Sequence, residues 1–102
     1  MTTKPPVSML ALAGFQSVST NTTLDVSAQN QLINVTSAAT ITLPSAAAVG
    51  AGWTCRIRRE SLTNQNVTVS RAGSDTIAVG SNNAETAIIL AADGGYVDVI
   101  ST

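Results

Sequence analysis

Histidine is absent from the 102 residues, and there is one cysteine, one lysine, three aromatic residues and three prolines. Without histidine the commonest general base is missing, and a serine or threonine nucleophile has no usual activator. The single lysine, Lys4, lies in an N-terminal segment where nothing would depress its pKa. The lone Cys55 excludes a disulfide framework within the chain and a thiolate metal cluster, and reads as a small buried hydrophobe. Charged residues make up only 11%, five basic against six acidic, for a net charge of −1. That balance leaves no electrostatic footprint for nucleic acid or an anionic membrane. No apolar run approaches the ~18 residues of a membrane span. Lys4 followed by Val7 to Ala13 imitates a signal peptide, but it is shorter than the roughly 15–30 residues required, and Pro5-Pro6 interrupts it.

The chain is instead rich in small residues: 15 Ala, 14 Thr and 11 Ser. Residues 1–21 differ from the rest. Pro5 and Pro6 lack backbone donors and force extended geometry, and the stretch from Val7 to Phe15 is apolar but Gly-broken. This segment reads as an extended N-terminal arm lying across a partner, or equally as a first strand. From Thr22 onward apolar residues recur with period two between closely spaced turns, which argues for strands. Leu24 and Val26, then Leu32, Ile33 and Val35, then Ile41 and Leu43 follow this pattern up to Pro44. Ser45 could cap a helical turn that Gly50-Ala51-Gly52 breaks. Trp53, Cys55 and Ile57 share one strand face, and Arg56 and Arg58 the other. Val67 with Val69, Ile77 with Val79, Thr86 to Leu90 and Tyr96 to Ile100 complete the series, and Gly80-Ser81-Asn82-Asn83 is the clearest turn.

About seven or eight short strands with turns roughly every 8–12 residues predict an all-β domain over residues 22–102. The expected form is a small antiparallel β-sandwich or jelly-roll-like barrel preceded by the arm. Strands of Ala, Ser and Thr bury little apolar area, at about 25 cal/mol per Å², so a lone domain of this composition is marginal. Association of copies is therefore a physical expectation.

No constellation of catalytic residues emerges. Asp75 and Asp93 fall in turns, where Asp bonds its own backbone, and Asp25 and Asp98 fall in strands facing solvent. No spacing resembles a calcium loop, and Gly50-Ala51-Gly52 lacks the third glycine and following helix of a dinucleotide site. The expectation is no catalytic residue, no cofactor and no metal. The one concentration of charge is Arg56, Arg58 and Arg59 with Glu60. It reads either as a solvated edge paired with Glu60 or Asp98, or as a subunit interface, where Arg is enriched.

An ordered series of segments carries a resemblance. Thr40-Ile41-Thr42-Leu43-Pro44 is followed by Gly50-Ala51-Gly52-Trp53, Val67-Thr68-Val69, Gly73-Ser74-Asp75-Thr76-Ile77 and Asp93-Gly94-Gly95-Tyr96. Over about residues 31–100 this resembles a small β-module of bacteriophage virion proteins, of the tail-fibre and appendage type. The resemblance implies a structural role in a trimeric, β-rich assembly and no catalytic residues. With a short arm in front, the chain looks like a capsid decoration (cement) protein or short head fibre: a homotrimer on the virion's capsid surface, made in the host cytoplasm. Its arm residues Lys4, Pro5, Pro6, Val7, Met9, Leu10, Leu12 and Phe15 would contact the major capsid protein, with Arg56, Arg58 and Arg59 at a subunit interface. The alternative is a tail-fibre or appendage module binding a host receptor or glycan, for which only Trp53, Tyr96 and Phe15 could stack on a sugar.

Overall fold

The computed structural model describes residues 13–60, 65–79 and 82–102. The fold is strand-rich, in keeping with the all-β expectation. The described strands are β1 (Gly14–Val18), β2 (Thr22–Thr23), β3 (Gln31–Val35), β4 (Ala39–Thr42), β5 (Thr54–Arg59), β6 (Val67–Ser70), β7 (Ile77–Val79), β8 (Asn82–Glu85), β9 (Ala87–Leu90) and β10 (Tyr96–Ile100). One four-stranded sheet has the order β1-β3-β5-β10 and a second has the order β2-β4-β6-β9, while β7 and β8 form a separate pair.

The antiparallel expectation requires correction. Pairings β1–β3 and β3–β5 in the first sheet, and β2–β4 and β4–β6 in the second, are parallel. Only β5–β10, β6–β9 and β7–β8 are antiparallel. The cause is the winding. Up to β6, consecutive strands alternate between the two sheets, so each parallel neighbour is reached through a strand of the opposite sheet. Parallel pairing needs a long crossover, and here the other sheet's strand supplies it. After β6 the chain reverses, and β9 and β10 add to the two sheets in the opposite direction.

Local chemistry explains the smaller departures. The strand expected around Leu24 to Val26 is only Thr22–Thr23, because Asp25 caps a 3-10 turn at Val26–Ala28. The Asp25 carboxylate accepts hydrogen bonds from the Ser27 amide and hydroxyl. These bonds hold its pKa below the usual carboxylate value, the side-chain bond contributing most. The helical turn after Ser45 is present as α1 (Ala46–Val49), but Ser45 makes no capping bond; the Ala46 amide donates to Asp75 Oδ2 at 2.9 Å instead. Asn82 and Asn83, expected in a turn, belong to β8. Of the proposed arm, residues 14–18 form β1, and Ala13 donates to the Asn30 carbonyl at 2.6 Å. The first sheet thus begins ahead of the boundary expected at residue 22.

The inward faces of both sheets make one core. Ile33, Val35, Cys55 and Ile57 from the first sheet pack with Ile41, Val67, Val69 and Leu90 from the second, joined by Leu24, Leu43 and Trp53. Burying each large aliphatic side chain stabilises by roughly 1.5–3 kcal/mol. Trp53 is 2% exposed, and its indole N–H donates to the Val26 carbonyl at 3.3 Å, so its polar edge is satisfied.

Candidate functional site

The outward face of the first sheet gathers the residues that chemistry would use. Period-two alternation along β5 sends Cys55, Ile57 and Arg59 inward and Thr54, Arg56 and Arg58 outward. Register then sets the rows. Phe15 stands beside Leu32, Leu32 beside Arg56, and Arg56 opposite Asp98. In the next row Ser17 neighbours Asn34, Asn34 neighbours Arg58, and Arg58 faces Tyr96.

Arg56 is the centre of this face. Its guanidinium binds Asp98 through two bonds, Nε to Oδ1 at 2.6 Å and Nη2 to Oδ2 at 2.9 Å. The same group lies 4.3 Å from the centroid of the Tyr96 ring, a cation–π contact. The fork geometry, planar on both sides, is what arginine offers and lysine does not. Arg58 Nη1 donates to Asn34 Oδ1 at 2.7 Å, and Asn34 Nδ2 donates to Glu60 Oε1 at 3.4 Å. Around this polar lattice stand exposed apolar groups: Phe15 at 63%, Tyr96 at 55% and Ile100 at 63%.

Arg59, expected alongside Arg56 and Arg58, is elsewhere. As the last inward position of β5 it is 2% exposed, donating from Nε to the Gln65 carbonyl at 2.6 Å and from Nη1 to Asp93 Oδ1 at 3.0 Å. The run of three arginines therefore splits: two on the surface, one inside. Alternation in β5 carries that signal, since Arg59 is even-spaced from Cys55 and Ile57.

The remaining expected site residues are scattered. Lys4, Pro5, Pro6, Val7, Met9, Leu10 and Leu12 lie outside the described residues. Phe15 belongs to β1, not to a separate arm. Trp53 is in the core, which removes it from any sugar-stacking surface. Asp25, Asp75 and Asp93 each serve local backbone or side-chain partners. Among the described residues no three His, Cys, Asp or Glu side chains converge in a way that could hold a metal ion. Burial pushes the Cys55 thiol up to about 12, with the nearby Asp98 charge adding to the effect, so it carries no thiolate. Among the described residues no helix is long and apolar enough to cross a membrane.

A second feature escaped sequence reading. Where the chain reverses, the core is open, and a groove of about 790 Å³ lies between β10 of the first sheet and β9 of the second. Val49, Trp53, Ile77, Ile88, Val97 and Val99 line it, and all but Trp53 are only partly buried. No pattern in the sequence marks these positions as half-covered, because their alternation is that of ordinary core residues.

Comparison of the chain with family models, with curated proteins and with solved structures returns no match.

Proposed function

We propose that this protein is a structural assembly module, acting by association with copies of itself on a bacteriophage particle, where it decorates and stabilises the capsid. The outward face of the first sheet carries the reading. Aromatic residues and arginine are the types enriched in protein–protein interfaces, and here Phe15, Tyr96 and Ile100 surround the Arg56–Asp98 pair. A monomer has no use for three large apolar side chains more than half exposed on one flat face. The architecture is that of a small sandwich wound as a short coil, with one face free for a neighbour. Trimerisation on the virion, as the phage-module resemblance implies, would cover that face. Binding only the assembled shell would stabilise the shell by mass action, and many copies would contribute.

The test is a measurement of mass in solution by sedimentation equilibrium, with Tyr96→Ser and Ile100→Ser combined as the variant. The wild type is expected as a trimer at micromolar concentration and the variant as a folded monomer. Purified capsids should retain the wild type on sedimentation and lose the variant. A wild type that stays monomeric and ignores capsids sinks the proposal.

A receptor-binding appendage is the second reading, favoured by the exposure of Phe15 and Tyr96 on the same face. It loses Trp53 to the core. Glycan-array binding that disappears in Tyr96→Ser, with the oligomer intact, would select it.

A further inference from the structure

We propose that residues 7–12 of the chain fill its own open groove and complete the core at that end. The inference is independent of the assembly reading, and it assigns the segment to the fold instead of to a capsid contact.

The first observation is the groove. Its two walls are apolar: Val97 and Val99 from the first sheet on one side, Ile88 and Ile77 on the other, with Val49 at the base. A hydrophobic core left half-covered at one end needs a further apolar element laid into it.

The second is reach. Ala13 is hydrogen-bonded to the Asn30 carbonyl, Asn30 to the Thr54 carbonyl, and Thr54 stands opposite Ile100. These four residues form one row across the end of the first sheet, and Ile100 lines the groove. Three strand spacings separate Ala13 from Ile100, about 14 Å at ~4.8 Å each. Six extended residues span up to ~20 Å, so residues 7–12 cross that distance and enter the groove.

The third is complementarity. The segment Val7-Ser8-Met9-Leu10-Ala11-Leu12 is apolar on both faces of an extended chain: Val7, Met9 and Ala11 on one, Leu10 and Leu12 on the other. A surface strand needs only one apolar face; a strand between two apolar walls needs both. The groove also carries Asp75 and Asp98 against a single arginine, Arg71, and the charged side chain nearest to the segment is Lys4. Ser101, which lines the same groove, buries its hydroxyl without a hydrogen-bond partner, leaving a polar atom for an entering backbone to satisfy.

Hydrogen-exchange mass spectrometry tests the proposal on the full chain against the double variant Leu10→Asp, Leu12→Asp. Amides of β9 and of residues 97–102 are expected to exchange about tenfold faster in the variant, while β3 and β4 stay protected and show that the fold persists. Equal exchange in the two proteins overturns the proposal. A photo-crosslinking side chain in place of Leu10 supplies a second readout in the otherwise unaltered chain. The expected product is an adduct at Ile88, Val97 or Val99 at monomer mass. Adducts that join two chains would give the groove to a neighbouring copy, and adducts found only on capsid protein would give the segment to the shell; either overturns it.

Discussion

Arg56 and Arg59 are three residues apart and differ in everything that sets their energetic weight. Arg56 is a surface pair with Asp98, where solvent screens the charge and side-chain entropy offsets much of the gain. Arg56→Ala is expected to change stability by less than about 1 kcal/mol in urea unfolding. Arg59 is buried, and its loss removes packing as well as bonds to the Gln65 carbonyl and Asp93. Arg59→Ala is expected to cost roughly 3 kcal/mol in the same measurement. Period-two alternation already separates these arginines, so their fates were readable in the sequence. The bidentate partner of Arg56 was readable only as a choice between Glu60 and Asp98, because nothing local says which strand lies beside β5. Cys55 gives a pH signature. Its folded thiol titrates near 12 against an ordinary value of 9.0. Below about pH 9 both states hold the proton and stability is level. Between 9 and 12 the unfolded thiol ionises while the folded one does not, so stability falls by about 1.4 kcal/mol per pH unit. Urea unfolding at pH 8 and pH 11 should show this extra loss in the wild type, and Cys55→Ala should lack it.

Among the elements, the strands were largely legible and their partners were not. The alternations in β4, β5 and β6 state which side chains go inward, and the structure places Ile41, Cys55, Ile57, Val67 and Val69 there. Alternation is silent on direction and neighbour. A coil with a constant repeat would have announced itself, but Gly14 pairs with Gln31, 17 residues on, whereas Leu32 pairs with Arg56, 24 on. In the second sheet Thr22 pairs with Ile41 and Ala39 with Val67, offsets of 19 and 28. Variable connections erase the repeat while keeping the stacking. The connection from β9 to β10 depends on Gly94, whose φ of 71° lies in the left-handed region. Gly94→Ala is expected to cost about 1 kcal/mol from that strain, seen as a lower thermal midpoint with an unchanged far-UV spectrum.

For the whole molecule, winding two sheets together makes almost every stabilising contact non-local. Loop-closure entropy must be met before such contacts form, so folding is expected in milliseconds to seconds, not microseconds. Stopped-flow refolding followed by Trp53 fluorescence checks this, since the indole moves from water into the core. The outward face of the first sheet and the open groove have separate consequences. One predicts an oligomer sensitive to Tyr96 and Ile100; the other predicts protection of β9 and β10 that depends on residues 7–12. The fold class was visible in composition and period. The groove was not, since openness is a property of how two sheets end, and no single strand records it.

The reversal after β6 also limits growth. A coil of parallel strands can add turns indefinitely, because each new strand finds a neighbour running its own way. Here the last strand of each sheet, β9 and β10, points against the rest, so another turn of the same sense would meet an edge of the wrong polarity. The pair therefore acts as a terminator that fixes the number of turns. Lengthening this protein by design would require inserting turns before β7, never beyond β10.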